Sequence, residues 1–166
     1  MSKSFSEADV RAFGGACLDF NPVHYPQMYE QHQREKAQLE QATAGGAAAA
    51  APTAAYKATA ASIARFPRPI VHGMLTASLF SSLFASHLPG AIYLSQSLAF
   101  RAPVFYDETV TARIEVLAVE HRRSGARVRC RTVVEKPAAS EGGLPVLVVD
   151  GEATVLVESV VQPKAD

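Results

Sequence analysis

His72-Gly73-Met74-Leu75-Thr76-Ala77-Ser78-Leu79-Phe80-Ser81-Ser82-Leu83-Phe84-Ala85-Ser86-His87-Leu88-Pro89-Gly90 is the stretch that decides the fold. A helix is expected to begin just after His72-Gly73 and to stop at His87 or Leu88, because Pro89-Gly90 cannot continue it. Met74, Leu75, Leu79, Phe80, Leu83, Phe84 and Leu88 spread around most of its circumference. A helix that is apolar nearly all round is buried on several sides. Ala77, Ser78, Ser81 and Ala85 are small enough to let strands approach it closely.

Downstream, the pattern changes to strands. Residues 93–102, 109–121, 126–134 and 145–157 are rich in valine, threonine and alternating apolar positions. Ser124-Gly125 marks a turn between the second and third strands, and residues 135–144, with Pro137 and Gly142-Gly143, link the third and fourth. A long buried helix followed by an antiparallel meander predicts the α+β class, with a curved sheet wrapped around the helix. Such a sheet leaves edges and one face to cover, so a homodimer is expected.

Upstream, residues 5–18 read as a short helix. Ser6 is its cap, Asp9 lies three positions later, and Val10, Phe13 and Cys17 recur at helical spacing. Residues 19–26 form a polar turn with two prolines, and strong helix formers fill 27–41 behind Pro26. Residues 42–64 hold thirteen alanines among twenty-three positions, interrupted by Gly45, Gly46 and Pro52. This is an alanine-rich insertion, with too little side-chain area to bury. It reads either as a tolerated surface insertion or as a lid over a substrate tunnel.

With 166 residues, 48% of them apolar, the chain is expected to form one domain spanning 1–166. Sixteen basic and sixteen acidic residues cancel, which argues against a nucleic-acid partner. Arginines are denser from 122 to 131, as a solvated strand face or as a landing strip for the phosphates of a carrier group. Cys17 and Cys130 are the only cysteines, which fits a reducing intracellular compartment, the mitochondrial matrix or the cytoplasm. No run is long and apolar enough to span a membrane. The first residues are too acidic for a secretory signal, and the last lack a peroxisomal address.

Two segments carry chemistry. Asp19 and His24 stand five residues apart in the turn, where a carboxylate and an imidazole could share one water and move its proton without a metal. Asn21 offers an amide to orient the water or a partner. Alternatively, Asp19 and Asn21 only cap a turn and His24 is a core histidine. At Gly73, the N–H groups of a helix start could hold an oxygen that gains charge as a thioester is attacked, or the glycine simply permits a tight turn. The five histidines show no close pair at metal-ligand spacing, so no metal site is expected. Nucleophile-elbow and phosphate-loop motifs are absent.

These segments resemble a known family. Asp19-Phe20-Asn21-Pro22-Val23-His24 is similar to the hydratase-2 signature, and residues 68–79, from Arg68 through His72-Gly73 to Leu79, to the opening of that family's central helix. Residues 92–100 and Val149-Asp150-Gly151-Glu152-Ala153 add two further matches, in order along the chain. Together they resemble the MaoC-like (R)-specific enoyl-CoA hydratases. The resemblance implies a hot-dog fold and a homodimer acting on coenzyme A or acyl-carrier-protein thioesters, with no other cofactor. It implies a lyase that adds water reversibly to trans-2-enoyl thioesters, giving (3R)-3-hydroxyacyl thioesters. It assigns Asp19 and His24 to catalysis, Asn21 to their support, and the Gly73 N–H and Ser81 to the oxyanion and substrate. A hot-dog thioesterase and a non-catalytic acyl-thioester-binding subunit are the competing readings. This chain departs from the pattern in its alanine-rich insertion, in Cys17-Leu18 where Ser-Gly is usual, and in a first strand expected to be short or missing.

Overall fold

The computed structural model describes residues 1–44, 63, 65–138, 140 and 142–158, so most of the alanine-rich segment, and with it the expected insertion or lid, lies outside the described residues. Contacts group the chain into two compact units. One comprises Met1–Ser4, Gly73–Val104 and Glu108–Asp166, and the other Phe5–His72 and Phe105–Asp107.

The first unit is a sheet with a helix against it. Its strands are β1 (Ser2–Ser4), β2 (Ile92–Gln96), β3 (Ala99–Phe100), β4 (Thr109–Arg122), β5 (Gly125–Lys136) and β6 (Val146–Val157). The order is β1-β4-β5-β6-β2, with β3 also on β6, and every pairing is antiparallel. The first strand is present but only three residues long. The expected 93–102 strand is broken, because β2 and β3 meet β6 separately on either side of Ser97-Leu98. Ser97 there turns to β6, where its Oγ accepts from the Glu152 N–H at 3.0 Å. The β4–β5 hairpin turns through Arg123-Ser124, since Arg122 faces Gly125.

Period-two alternation along β5 sorts its side chains. Val128, Cys130, Thr132 and Val134 are buried, while Arg129 and Arg131 face out. Arg129 pairs with Glu152 at 3.3 Å and Arg131 with Asp150 at 3.2 Å, both across to β6. Arg113 of β4 pairs with Glu135 at 2.8 Å. Of the five arginines from 122 to 131, Arg129 and Arg131 are thus paired across to β6, and Arg122 pairs with Glu120 of its own strand at 3.0 Å.

The decisive helix forms in two pieces, α3 (Gly73–Ala77) and α4 (Leu79–His87), divided at Ser78. The Ser78 hydroxyl donates to the Leu75 carbonyl at 2.7 Å, a local bond that competes with regular helix hydrogen bonding. Thr76, Ala77, Leu79, Phe80, Leu83 and Phe84 are buried, and α4 packs on β4. The other side is not buried within this chain: Met74, Ser78, Ser81, Ser82 and Ala85 are exposed. The expected burial all round is thus corrected to a single buried face, because only one layer of sheet covers it.

The second unit begins with α1 (Glu7–Cys17), whose start is a capping box: Ser6 Oγ accepts from the Asp9 N–H, and Asp9 Oδ2 accepts from the Ser6 N–H. A 3-10 turn, Pro22–His24, leads into α2 (Pro26–Ala44). Val23, Tyr29 and Ile63 form its apolar cluster, with Ile70 packed against it. Ile70 also bridges to Phe105, over whose ring the Arg68 guanidinium sits at 4.6 Å. Among the described residues, no helix is long and apolar enough to cross a membrane.

Phe80 is 1% exposed on the face α4 turns to the sheet. Phe80→Ala is therefore expected to cost about 3–5 kcal/mol in urea unfolding, the loss of a fully buried ring plus the cavity left behind. A change under about 1 kcal/mol would show that this face is not core.

Candidate active site

The polar turn is shaped by its own side chains. Helix α1 stops with Leu18 in the left-handed region at φ 60°, which is uncommon without glycine and swings the chain away from the helix axis. Asp19 Oδ1 then accepts from the Asn21 N–H at 3.1 Å, and Asn21 Oδ1 accepts from the Val23 N–H at 3.3 Å. The His24 N–H donates to the Asn21 carbonyl at 3.0 Å. Two linked Asx bonds thus cap the turn and carry the carboxyl and the imidazole on it together.

His24 is held from its far side. Its Nδ1 lies 2.9 Å from the Ile70 carbonyl, and the Ile70 N–H donates to the Val23 carbonyl at 2.9 Å. Because a carbonyl only accepts, Nδ1 carries the proton and Nε2 is left with a lone pair. Tyr106 Oη donates to the His24 carbonyl. The Nε2 of His24 is 3.8 Å from Asp19 Oδ2, too long for a direct hydrogen bond but short enough for both to hold one water. The His24 side chain is 10% exposed and that of Asp19 47%, so the pair opens to solvent on the carboxyl side.

His72 joins them. Its ring stacks on that of His24 at 3.8 Å between centroids, with 26° between planes. Its Nε2 lies 3.2 Å from the Asp19 main-chain carbonyl and 3.8 Å from Asp19 Oδ2. Burial pushes the His24 pKa below its ordinary value, and the neighbouring His72 adds to this, against the opposing pull of the Ile70 carbonyl and Asp19. His24 is therefore a neutral imidazole near pH 7, with Nε2 able to accept a proton.

Asp19, His24 and His72 offer possible metal-ligand atoms within 4.8 Å of one another. Two imidazoles and a carboxylate are a chemically reasonable zinc set. The two imidazole planes are stacked, 26° apart. His72 Nε2, moreover, donates to a carbonyl. As it stands, the arrangement leaves His24 Nε2 and Asp19 Oδ2 able to share a water.

Of the residues singled out in the sequence, Asp19, Asn21 and His24 share this cluster. Gly73 and Ser81 belong to the other unit, Gly73 as the first residue of α3 and Ser81 on the exposed side of α4. A Cβ on Gly73 would come within 2.8 Å of the Phe100 ring, so a side chain there would displace an aromatic of β3. In the sequence His72 stands out only as the residue before Gly73. Its pairing with residues 48 and 53 positions earlier has no local signature, and only its residue type flagged it.

Comparison with known proteins gives four concordant findings. The family described as MaoC like domain matches residues 56–138. The (R)-specific enoyl-CoA hydratase of Aeromonas caviae is 38% identical over 157 residues, 93% of this chain and 88% of that protein. A mitochondrial 3-hydroxyacyl-[acyl-carrier-protein] dehydratase of Arabidopsis thaliana is 28% identical over 156 residues, 94% of this chain and 72% of that one. The solved A. caviae (R)-hydratase, described as involved in PHA biosynthesis, superimposes with a TM-score of 0.62 at 38% identity, covering 95% of this chain and 91% of that one. The expected hot-dog fold, an antiparallel sheet with a helix against it, is borne out.

The His24 assignment is open to measurement. Titrated by NMR, its ring is expected to reach half-protonation below pH 6.5, the ordinary histidine value. A midpoint above that value would contradict the neutral, buried imidazole.

Proposed function

The chain belongs to the MaoC-like domain family, and from that premise we propose that Asp19 and His24 carry out the hydration chemistry of its lyase relatives. The activity itself is that of an enoyl-thioester hydratase, running also as a 3-hydroxyacyl-thioester dehydratase. The observation that carries the residue assignment is the fixed tautomer of His24. With Nδ1–H on the Ile70 carbonyl, Nε2 faces Asp19 Oδ2 across 3.8 Å, room for one water.

In this reading His24 Nε2 takes one proton from that water as its oxygen bonds to C3 of a trans-2-enoyl thioester. The C2=C3 electron pair moves toward C2 and the thioester carbonyl, whose oxygen gains charge. The Gly73 N–H, one peptide bond beyond His72, is assigned to hold that oxygen, since first-turn N–H groups have no acceptor within their helix. C2 then receives a proton from the Asp19–His24 pair on the same face, giving the (3R)-3-hydroxyacyl product. Asn21 keeps the turn in register, and Ser81 is assigned to the thioester. The reaction needs no cofactor beyond the carrier, coenzyme A or acyl-carrier protein.

We place the enzyme in the mitochondrial matrix or the cytoplasm, where such carriers occur, and infer that it works as a homodimer. Exposed Ile92, Tyr93 and Leu94 on β2, at the sheet edge, support this. Light scattering is expected to give twice the 17.7 kDa chain mass, and a monomer at working concentration would refute it.

The deciding experiment follows hydration of crotonyl-CoA, with the product's configuration resolved. Asp19→Asn and His24→Ala are each expected to lose roughly 100- to 10,000-fold in kcat, the usual contribution of a general acid–base group. Prior dialysis against a chelator is expected to leave the wild-type rate unchanged. Full rates in both variants would overturn the assignment, and free thiol without hydroxyacyl product would favour a thioesterase.

A further inference from the structure

We infer that Tyr25 and His72 are positioning residues that clamp the main-chain carbonyl of Asp19 and so aim its carboxyl at His24. The inference rests on the Asp19–His24 assignment above and extends it to two residues that act through the Asp19 main chain.

Both available lone pairs of the Asp19 carbonyl are taken. Tyr25 Oη donates to it at 2.8 Å and His72 Nε2 at 3.2 Å. Convergence of two side-chain donors, from six and fifty-three residues away, on one carbonyl in a solvent-facing turn is more than a satisfied backbone requires. The carbonyl needs such a hold, because it follows Leu18 in the left-handed region, a conformation that persists in a non-glycine residue only where its surroundings impose it. The Asp19 side chain is half-exposed and is held by the Asn21 N–H at 3.1 Å, so its aim depends on where the main chain places that local bond.

The neighbours leave room for the clamp. At Gly14 of α1 an added Cβ would lie 1.8 Å from Tyr25 Oη and 3.0 Å from the Asp19 carbonyl oxygen. The helix is bare where the hydroxyl passes. Tyr25 and His72 are both buried, and their rings meet edge-on at 6.1 Å, so each donor restrains the other. His72 also stacks on His24, which ties both members of the pair to one ring. A 1 Å error in placing a proton-transfer group is enough to cost about 100-fold.

The test measures kcat and KM for crotonyl-CoA with the full chain as Tyr25→Phe, His72→Leu, His72→Gln and the Tyr25→Phe/His72→Leu double variant, beside Asp19→Asn. Folding is checked by circular dichroism and melting temperature. Tyr25→Phe and His72→Leu are each expected to lower kcat about 5- to 20-fold with KM within about twofold, and the double variant by more than the product of the two, since either donor alone still partly holds the carbonyl. His72→Gln, which returns an N–H at similar reach, is expected to recover most of the loss. In His72→Leu the acid limb of the pH profile is expected to move up toward the ordinary histidine value. A purely structural role would lower the melting temperature and leave kcat per folded chain unchanged. If His72→Leu fails to fold, Tyr25→Phe, which removes one oxygen atom, decides. A Tyr25→Phe kcat within twofold of wild type, or a loss confined to KM, overturns the clamp. An inactive Asp19→Asn beside an unaffected Tyr25→Phe overturns the clamp alone. A fully active Asp19→Asn overturns the catalytic assignment and the clamp with it.

Discussion

The peptide at Ile70 is the point on which the turn from Asp19 to His24 depends. Its N–H ties to the Val23 carbonyl and its own carbonyl takes the proton of His24 Nδ1, each at 2.9 Å. One backbone position thereby sets where the turn lies, which tautomer its histidine adopts and which nitrogen faces Asp19. A buried imidazole N–H left without an acceptor would cost about 1–3 kcal/mol, so the bond holds the ring in one orientation. Burial then keeps the ring uncharged, and a neutral imidazole with a directed lone pair is what water activation requires.

Around that anchor, elements that look merely structural position the chemistry. The capping box of α1 and the left-handed Leu18 deliver Asp19, and the Asx bonds of Asp19 and Asn21 wind the 3-10 turn that presents His24. Ordinary turn chemistry and the proposed catalytic geometry use the same atoms here. The sheet of the other unit follows a simpler rule. Alternation buries valines and turns charged residues outward, and cross-strand ion pairs neutralise Arg129 and Arg131 of the basic stretch.

Wherever a local period or a local breaker sets the structure, the elements were legible. The capping box, Pro26 at the start of α2, the Arg123-Ser124 turn and the long strands β4 to β6 lie within two residues of where patterning puts them. Two interruptions were not legible. Ser78 divides the apolar helix because its hydroxyl bonds to the Leu75 carbonyl, and Ser97 breaks the first long strand by turning to Glu152 of β6. A serine in a helical or strand pattern does not announce which backbone group it will choose.

The sequence by itself determined the class of the protein: periodicity dictated helix and strands, and the residues from Asp19 to His24, with His72-Gly73, carried enough resemblance to name the family. It also located the carboxyl, the imidazole and the amide of the turn, because the six residues from Asp19 to His24 can hold only a few arrangements. Only the tertiary structure decided how they work. The Ile70 carbonyl that selects the His24 tautomer lies 46 residues away, and His72, which stacks on His24 and bonds to Asp19, reaches back across 53. Such contacts have no period and no local motif. They exist because the folded chain closes those loops, and protonation state and direction are properties of the closed loop.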